Sequence, residues 1–464
     1  MRATLATAAE AMSASLPALY AEWSWEGAAV DSRKLVDGQL FFALPGSRAD
    51  GHGFVAAALG AGACGAVVRR DRIGELPQGA PLLQVDDVEA ALHALTWWAR
   101  KRAPRRLAGI TGSVGKTTTK EILAALLAER YRTAKSPGNL NSLFGFPLAL
   151  LGMDEQAEWL VAEMGMSTPG ELARLSRLAR PDVAVVTAVR PVHLEFFGTL
   201  AAIGDAKAEI LEGMAPDACL AVNLEDPEVV RIGRRWGGRT VTFGLGRGDV
   251  SAKQIEDLGA AGIALRLEIA GETVPVALPL YGTYNVENFL AAAAVAWHAG
   301  VSLAEIAAGS AKVAPAAMRG VVRTVELVGG SATLVEDCYN SNPFAAERAL
   351  DSAAGLPGRR HWAVLGEMRE LGPEAPRFHA ELGRQAVERG FSPVVGVGEL
   401  ARSMVQAAAS AGGQAEWVAD AAAGARFASE LRPGDVVLVK GSRGVGLETV
   451  VRAFVDRGRV EAGR

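Results

Sequence analysis

The residues with the clearest chemistry lie in one glycine-rich stretch, Thr111-Gly-Ser-Val-Gly-Lys-Thr-Thr118. Glycines let a loop turn its backbone N–H groups towards a phosphate, and a helix that follows adds the partial positive charge of its N-terminus. Lys116 can reach the outer phosphates of a nucleotide, and the Thr117 hydroxyl can bind Mg²⁺. The strict motif has glycine where this chain has Ile110, so the loop is a tighter variant; the simpler interpretation is a glycine turn with a solvated lysine. The predicted phosphate-binding residues are Gly112, Ser113, Val114, Gly115, Lys116, Thr117 and Thr118.

Three further residues are candidates for a site of metal binding and acyl activation beside that phosphate. Glu163 follows an apolar run at 159–162, and a carboxylate at the C-terminal end of a parallel strand faces the ligand crevice. His193 follows the next apolar run through a short loop, and Lys207 lies beyond it on a predicted helix. Together with the Thr117 hydroxyl, the Glu163 carboxylate and the His193 imidazole could hold Mg²⁺. Taken singly, His193 could be an ordinary packed or surface histidine and Lys207 a solvated lysine.

A sheet is needed to bring these residues together. Residues 107–111 are predicted to form a buried strand and 116–129 a helix with apolar residues at helical spacing. Because helices separate several of the later apolar runs, we expect a parallel sheet with crossover helices on both faces. These runs lie at 159–162, 183–189, 219–222 and 240–243. Antiparallel strands are expected over 250–280, followed by a helix over 286–299.

A chain of 464 residues is too long for one hydrophobic core, so we expect three domains. The predicted fold class is α/β, with a central P-loop-type parallel sheet, a C-terminal Rossmann-like domain and a small α/β N-terminal domain that begins with an amphipathic helix. A basic stretch at 100–106 is interpreted as a linker. Strands of the last domain are predicted near 334–335, 362–365, 394–397 and 436–439. The predicted domains are residues 1–103, 104–314 and 315–464.

Composition excludes several classes of protein. Half of the residues are hydrophobic, and the net charge of -4 argues against a general nucleic-acid or membrane-surface binder. Cys64, Cys219 and Cys338 are too far apart for a zinc site or a disulfide framework. Glu10 interrupts the apolar N-terminus, which argues against a signal peptide, and no run approaches the length of a membrane span. We therefore expect a cytoplasmic protein, and a monomer.

Taken together, the motifs resemble the Mur ligase family, whose members join an amino acid or peptide to a UDP-muramoyl carboxylate. The matching stretches are 111–118, Gly138-Asn-Leu-Asn141, Glu163-Met-Gly165, His193-Leu-Glu-Phe-Phe-Gly198, Ala206-Lys-Ala-Glu209 and Asn285-Val-Glu-Asn288. The resemblance implies that Glu163 and His193 bind Mg²⁺, and that CO₂ carbamylates Lys207 so that it becomes an anion able to help. It also implies that Asn285 and Asn288 contact adenine, although a helix N-cap would explain Asn285 equally well.

The two ends of the chain narrow the implied substrates. Asp31-Ser-Arg33 and residues 44–54 resemble the uridine-diphosphate-binding face of the family members that add the third residue and the terminal dipeptide. The second stretch could also be an ordinary surface turn. The C-terminal stretches 318–320, 337–343, 365–372 and 439–443 resemble the ligases that add D-alanyl-D-alanine. The family members that add the third residue of the peptide have an Asp-Asn-Pro-Arg motif, and this motif is absent from the sequence. The implied nucleotide contacts are Arg319 and Asp337, and the implied substrate contacts are Ser32, Arg33, Gly46, Asp50, His52, Asn139, Asn141, Tyr339, Asn340, Asn342, Lys440, Ser442 and Arg443.

The resemblance implies an ATP-dependent amide-bond ligase that acts through an acyl phosphate, with Lys116, His193 and Lys207 as catalytic residues and ATP and Mg²⁺ as cofactors. Its implied substrates are UDP-N-acetylmuramoyl-tripeptide and D-alanyl-D-alanine; whether the third residue is diaminopimelate or lysine stays open. Domain closure is expected, with a hinge at 314–320. Two departures from the family pattern, Ser142 and Met166-Ser-Thr-Pro169, concern fine substrate contacts.

Three other interpretations compete with this one. Folylpolyglutamate synthase shares the ligase chemistry but lacks the N-terminal domain. A phosphate-loop kinase or GTPase would need neither Lys207 nor a second Rossmann-like domain. An inactive scaffold would not need Lys116, Thr117, Glu163, His193 and Lys207 all to be present.

Overall fold

The computed structural model describes residues 2–46, 49–102, 105–192 and 194–462. By the density of its internal contacts the chain divides into two compact units. The first comprises Met1–Thr111, Tyr131–Ala184 and Ala208–Cys219, and the second Gly112–Arg130, Val185–Lys207 and Leu220–Arg464. The domain boundaries predicted after residues 103 and 314 stay predictions.

The first hundred residues form two small sheets. In one, β1 (Arg2–Thr4) pairs antiparallel with β2 (Ser24–Glu26). The other is parallel, in the order β3 (Ala28–Ala29), β4 (Leu40–Phe42), β5 (Gly65–Arg69) and β6 (Leu82–Val85). The helices are α1 (Leu5–Met12), α2 (Val55–Gly60) and α3 (Val88–Arg102). The amphipathic first helix is confirmed, because α1 buries Leu5, Ala8, Ala9 and Met12.

The linker predicted at 100–106 is wrong at both ends. Helix α3 continues to Arg102, and the next strand begins at Arg106. Arg100 is not a solvated linker residue, because its guanidinium donates to the carbonyls of Ala179 at 2.9 Å and Arg105 at 2.6 Å. Basic residues also suit the last turn of a helix, where they interact favourably with its dipole.

The largest sheet has nine strands in the order β15-β14-β13-β12-β11-β10-β7-β9-β8. Its strands are β7 (Arg106–Thr111), β8 (Thr133–Lys135), β9 (Trp159–Glu163), β10 (Val183–Val186), β11 (Cys219–Asn223), β12 (Arg239–Leu245), β13 (Val250–Asp257), β14 (Ile263–Ile269) and β15 (Glu272–Leu278). The pairs β7–β9, β8–β9 and β12–β13 are parallel, whereas β13, β14 and β15 form an antiparallel meander. The sheet is therefore mixed, and β8 was not predicted.

The strand predicted at 183–189 ends at Val186, three residues early. The backbone groups of two residues that follow make hydrogen bonds to other parts of the second unit. The Ala188 carbonyl accepts a hydrogen bond from Ser113 N, and Val189 N donates to the Asp226 carboxylate. The apolar run was predicted to be a strand because its residues are buried, but their hydrogen bonds serve a loop.

The helices of this middle stretch are α4 (Lys116–Ala128), α5 (Gly145–Gly152), α6 (Glu171–Ala179), α7 (Leu194–Phe197), α8 (Leu200–Ala208), α9 (Pro227–Gly233), α10 (Asn285–His298) and α11 (Leu303–Ser310). The helices predicted at 116–129 and 286–299 are confirmed to within one residue as α4 and α10. Helix α9 begins at Pro227, and the carboxylate of the preceding Asp226 caps its first turn.

The C-terminal sheet has the order β16-β17-β21-β18-β19-β20. Its strands are β16 (Val321–Leu327), β17 (Gly330–Asp337), β18 (Arg360–Gly366), β19 (Phe391–Val397), β20 (Ala415–Val418) and β21 (Asp435–Lys440), and its helices α12 (Pro343–Ala354), α13 (Ala375–Glu388), α14 (Arg402–Ser410), α15 (Ala421–Gly424) and α16 (Glu448–Ala462). All pairs except the hairpin β16–β17 are parallel. Ala363 and Leu365 of β18 enter one core cluster, and Trp362 and Val364 enter another. Alternation along β18 therefore places a core on each face of the sheet, as a Rossmann-like layout requires.

None of the helices within the described ranges is both long and apolar enough to cross a bilayer.

A buried histidine fixes the loop that follows β18. The His379 ring, on α13, is 0% exposed; its Nε2 lies 2.9 Å from Met368 N and its Nδ1 2.6 Å from the Ala375 carbonyl. Because the Met368 N–H donates, Nε2 is the unprotonated acceptor and Nδ1 carries the proton. Burial lowers the pKa of His379 below its usual range, and the bond to Ala375 only partly opposes that change.

We predict that His379 makes the free energy of unfolding depend on pH. Because its folded-state pKa is lowered, the unfolded chain takes up the proton first as the pH falls, so this contribution is complete above about pH 6.5 and is lost below it. His379→Leu should lose about 1–3 kcal/mol at neutral pH, because Met368 N is left unpaired. The matched variant His379→Gln can still accept from Met368 N and should lose less. Urea unfolding at several pH values measures both effects; an undiminished pH dependence in both variants would contradict the assignment.

Candidate active site

The glycine-rich loop connects β7 directly to α4, as predicted. Gly112 and Gly115 have φ angles of 145° and 83°, which L side chains rarely adopt. A Cβ on Gly112 would lie 1.9 Å from Thr187 Oγ1, and one on Gly115 would lie 2.1 Å from Asn288 Oδ1. Glycine is therefore required twice, for its backbone conformation and for its lack of a side chain. Gly115 also occupies the cap position of α4, so the loop ends at a helix N-terminus.

Lys116 does not extend freely into solvent. Its Nζ donates to the Gly112 carbonyl at 2.7 Å, and the Ser113 carbonyl lies at 3.5 Å. The ammonium group therefore lies across the loop that the glycines shape. Thr117 is buried in the first turn of α4, next to Thr118. The glycine turn is present, but the solvated lysine of the simpler interpretation is contradicted.

Residues 187–190 hold the glycine-rich loop at 112–118, called the phosphate loop below, and no sequence motif predicted their role. Ser113 N donates to the Ala188 carbonyl at 2.8 Å, and Thr187 Oγ1 donates to the Val114 carbonyl at 2.5 Å. Ser113 Oγ donates to the Arg190 carbonyl at 3.0 Å and accepts from Arg190 N at 2.9 Å. The only sequence signal is that these residues follow an apolar strand.

The side chain of Asp226 holds residues 189–190 in place. Its carboxylate is 1% exposed and accepts from Val189 N at 2.8 Å and from the Arg190 guanidinium. Its other oxygen caps α9 by accepting from Glu228 N and Val229 N. A buried carboxylate with four donors is fully satisfied, so Asp226 is a rigid support for residues 189–190.

Lys207 is buried in α8 at 2% exposure. Within the described ranges its amine makes no hydrogen bond or ion pair. Burial lowers the pKa of Lys207 well below its usual value, and the positive charge of Lys116 lowers it further. The interpretation of Lys207 as a solvated lysine is therefore wrong, and its burial shifts the protonation equilibrium towards the neutral amine.

Glu163 is the last residue of β9, in register with Ile110 of β7, and is 3% exposed. Its Oε1 accepts from Asn141 Nδ2 at 2.7 Å, and its backbone N donates to Ser136 Oγ at 3.1 Å. The structure therefore brings Asn141 and Glu163 together, whereas Asn139 is exposed. Ser136 was not predicted.

The two departures from the family pattern have local roles. Ser142 Oγ accepts from Gly145 N at 3.1 Å, at the start of α5. Ser167 N and Thr168 N donate to the Glu171 carboxylate at 2.6 and 3.3 Å, at the start of α6. Both segments thus set the beginning of a helix.

His193 lies outside the described residues. Among the described residues, no three His, Cys, Asp or Glu side chains come close enough together to hold a metal. That search does not cover the predicted Mg²⁺ set, since Thr117 and Lys207 are of other types. Mg²⁺ prefers oxygen ligands, and each unit offers one of the predicted donors: the buried Glu163 carboxylate in the first and the Thr117 hydroxyl in the second.

Asn285 and Asn288 lie on the first turn of α10 and bond to each other, with Asn288 Nδ2 2.9 Å from Asn285 Oδ1. Asn285 Nδ2 also donates to the Tyr281 carbonyl at 2.8 Å. The residue at the cap position is Tyr284, so the alternative role of Asn285 as an N-cap is wrong. Asn288 Oδ1 accepts from Thr119 Oγ1 at 3.5 Å and faces Gly115, which ties α10 to the phosphate loop.

The N-terminal candidates form two small clusters. Ser32 and Arg33 lie in a 3-10 helix, and the exposed Arg33 guanidinium contacts Asp31 at 2.9 and 2.8 Å. This hydrogen bond lowers the pKa of Asp31 to about 2.

The second cluster is built around the buried His52. Its Nδ1 lies 2.7 Å from Asp50 Oδ1, and its Nε2 accepts from Arg69 N at 2.9 Å. Both ring nitrogens therefore serve the protein, and hydrogen bonds from His52 lower the pKa of Asp50 to about 2. Gly46 N donates to the Ala49 carbonyl at 3.0 Å, where the loop returns to Asp50.

The C-terminal candidates meet where β17 and β21 end side by side. Asp337 and Lys440 are in register, and Lys440 Nζ donates to Asp337 Oδ2 at 2.7 Å and to the Asn340 carbonyl at 3.1 Å. The Arg319 guanidinium lies over the Tyr339 ring, 4.2 Å from its centroid. In the predicted hinge, Met318 and Gly320 have φ of 61° and 64°; hinge motion stays a prediction.

Four other predicted contacts have local partners. Asn342 Oδ1 caps α12 by accepting from Ala345 N at 2.9 Å, and Asn340 Oδ1 accepts from Ser341 N at 2.9 Å. Ser442 Oγ accepts from Arg369 N at 3.1 Å, which joins the loop after β21 to the loop held by His379. Arg443 is exposed and pairs with Glu448 at 3.1 Å.

Comparison with known proteins agrees with this geometry. The Mur ligase middle domain matches residues 110–296, and the Mur ligase, glutamate ligase domain matches residues 323–443. The UDP-N-acetylmuramoyl-tripeptide--D-alanyl-D-alanine ligase of Synechocystis sp. is 33% identical over 423 residues, which is 91% of this chain and 90% of that protein.

Two solved structures have the same fold over almost the whole chain. A crystal structure of MurF from Acinetobacter baumannii has a TM-score of 0.86 and 28% identity, covering 98% of this chain and 99% of that one. The MurF ligase of Thermotoga maritima in complex with ADP has a TM-score of 0.78 and 30% identity, covering 94% and 98%. The chain belongs to the Mur ligase family.

Proposed function

We propose that the protein is an ATP-dependent amide-bond ligase that adds D-alanyl-D-alanine to UDP-N-acetylmuramoyl-tripeptide and releases ADP and phosphate. The observation that carries the proposal is the similarity to a ligase of that name over nine-tenths of both chains. The loop between β7 and α4 agrees with it, because its glycines and Lys116 suit a nucleotide's phosphates. The expectations of a cytoplasmic location and a monomer stay predictions.

ATP would bind at the loop formed by residues 112–118. A related ligase was solved in complex with ADP, which supports nucleotide binding by this fold. Lys116 Nζ, now bound to loop carbonyls, would exchange them for phosphate oxygens and offset their negative charge. Asn285 and Asn288 would contact the adenine, with Arg319 and Asp337 as further nucleotide contacts; the bond between the two asparagines keeps their amides at fixed orientations.

Thr117, Glu163, His193 and Lys207 would hold Mg²⁺. The ion would neutralise negative charge on the transferred phosphoryl group. The low pKa of Lys207 favours the neutral amine, and only that form attacks CO₂. Carbon–nitrogen bond formation with loss of one proton gives a carbamate anion, which would complement both Mg²⁺ and the charge of Lys116.

The reaction needs two displacements. An oxygen of the tripeptide carboxylate attacks the γ-phosphorus of ATP, ADP leaves, and an acyl phosphate forms. The dipeptide amine then attacks the acyl carbon, loses a proton, and phosphate leaves. The protein's task is to position the reactants and stabilise charge, with Lys116, His193 and Lys207 around the phosphoryl group.

The two ends of the chain would hold the substrates. Ser32, Arg33, Gly46, Asp50 and His52 would form the uridine-diphosphate side, with His52 ordering the loop around Asp50. Asn139 and Asn141 would contact the peptide. Tyr339, Asn340, Asn342, Lys440, Ser442 and Arg443 would form the dipeptide side, where the Asp337–Lys440 pair fixes the strand ends.

The first test offers the purified protein each candidate amine in turn. With ATP, Mg²⁺ and the UDP-linked tripeptide, we expect ADP release with D-alanyl-D-alanine and none with single amino acids. The same assay with diaminopimelate- and lysine-containing tripeptides would identify the third residue. ADP release with a single amino acid and not with the dipeptide would overturn the proposal.

The role of Lys207 can be tested with two variants that differ in charge. Lys207→Ala should be nearly inactive, and formate or acetate should partly restore it by replacing the carbamate. Lys207→Arg keeps a cation but forms no carbamate, so it should be inactive and not be restored. Full activity of Lys207→Arg would show that a cation suffices, and would exclude the carbamate.

The phosphate loop can be tested by binding alone. In Gly115→Ala the added methyl would meet Asn288 Oδ1, so the loop must shift, and we expect Mg·ADP to bind at least about tenfold more weakly, a change of about 1.4 kcal/mol. Gly152→Ala is the matched control, because nothing lies within 4 Å of its added Cβ. Titration calorimetry measures both; unchanged binding by Gly115→Ala would refute the loop's assignment.

A further inference from the structure

Two guanidinium groups contact the ring of Phe344. The Cζ of Arg190 is 4.6 Å and that of Arg348 4.7 Å from the ring centroid. Phe344 is the second residue of α12, and Arg348 follows one turn later on the same face of the helix. We call these three residues the arginine stack. Cations attract the face of an aromatic ring, and desolvation strengthens the attraction.

Arg190 links the arginine stack to the phosphate loop. Its guanidinium pairs with the buried Asp226 and donates to the Val189 carbonyl at 2.9 Å, which leaves its side chain 19% exposed. Its backbone N and O both bond to Ser113 Oγ. A displacement of Arg190 would therefore be transmitted directly to the loop.

Arg348 links the arginine stack to α10. Its guanidinium lies 3.2 Å from Glu287 Oε1, and the next residue of α10, Asn288, faces Gly115 of the phosphate loop. The contacts thus form a closed circuit from the loop through Arg190, Phe344, Arg348 and α10 back to the loop. Asp226 and Glu287 balance the two cations, so the stack needs no bound anion for its charge.

We propose that Arg190, Phe344 and Arg348 are positioning residues that fix the start of α12 relative to the phosphate loop. The stretch before α12, residues 337–342, carries proposed nucleotide and dipeptide contacts, so the arginine stack would hold both co-substrates in register. This inference rests on the proposed function, and it assigns the three residues no contact with the reacting atoms.

The test compares ring replacements at position 344. Phe344→Leu keeps an apolar side chain but loses the aromatic face, and we expect KM to rise about three- to tenfold for ATP and for the dipeptide, as loss of a cation–π contact predicts. KM for the UDP-linked tripeptide should stay within twofold. Phe344→Tyr retains the ring and should restore the values. Phe378→Leu is the matched control: its ring also carries an arginine, Arg377 at 4.3 Å, but lies on α13.

A double-mutant cycle measures the coupling between Arg190 and Phe344. If Arg190 acts through the ring, the combined effect of Arg190→Lys and Phe344→Leu on KM should be smaller than the product of the two single effects, whereas independent effects would multiply. Should Phe344→Leu fold poorly, Arg190→Lys and Arg348→Lys carry the test, since both leave the apolar residues intact. Multiplying effects, or an equal rise in the tripeptide KM, would overturn the inference.

Mg·ADP affinity gives a readout that does not depend on the ligase reaction. We expect Phe344→Leu and Arg190→Lys to bind ADP about three- to tenfold more weakly, and Phe344→Tyr and Phe378→Leu to bind as the unmodified protein does. Loss of dipeptide ligation in the unmodified protein would reject the proposed function alone. Unchanged ADP affinity in both Phe344→Leu and Arg190→Lys would reject the arginine stack alone.

Discussion

The structure of the candidate site depends on the hydrogen bonds between the phosphate loop and residues 187–190. A loop that turns its backbone towards a ligand cannot satisfy its own polar groups, so other segments must supply partners. Thr187, Ala188 and Arg190 do so for Ser113 and Val114, and the buried Asp226 carboxylate fixes the end of that segment. The shape of the loop is therefore set by residues about 75 positions away in the chain, and sequence patterns do not reveal a pairing over such a distance.

Positive charge close to the loop is the second constraint. Lys207 is buried and Lys116 lowers its pKa, so two full cations would be unfavourable in this low-dielectric environment. Neutral Lys207 relieves that repulsion, and the proposed carbamate would reverse it. Such a pair is poised for an anionic ligand, which is the electrostatic reason to expect a nucleotide's phosphates there.

Several family-motif residues serve the protein through their own hydrogen bonds. His52 uses both ring nitrogens, Asn342 caps α12, and Ser442 accepts from Arg369 N. A motif match therefore identifies a position without saying whether its side chain contacts substrate or orders the backbone that does. The arginine stack is the opposite case: it belongs to no predicted motif, yet it connects α12, α10 and the phosphate loop.

The sequence by itself determined the strand–loop–helix at 107–129, the helix α10, the antiparallel meander and the family, because these depend on local spacing and on residue types at consecutive positions. It did not predict β8, the early end of β10 at Val186 or the helical end of α3 at Arg102, because hydrogen bonds to distant segments decide those boundaries. Only the tertiary structure decided that Lys207 is buried and that Asp226, Arg190 and Phe344 support the loop. Burial and pairing between residues far apart in the chain arise from packing, and a pattern along one chain does not record which surfaces pack together.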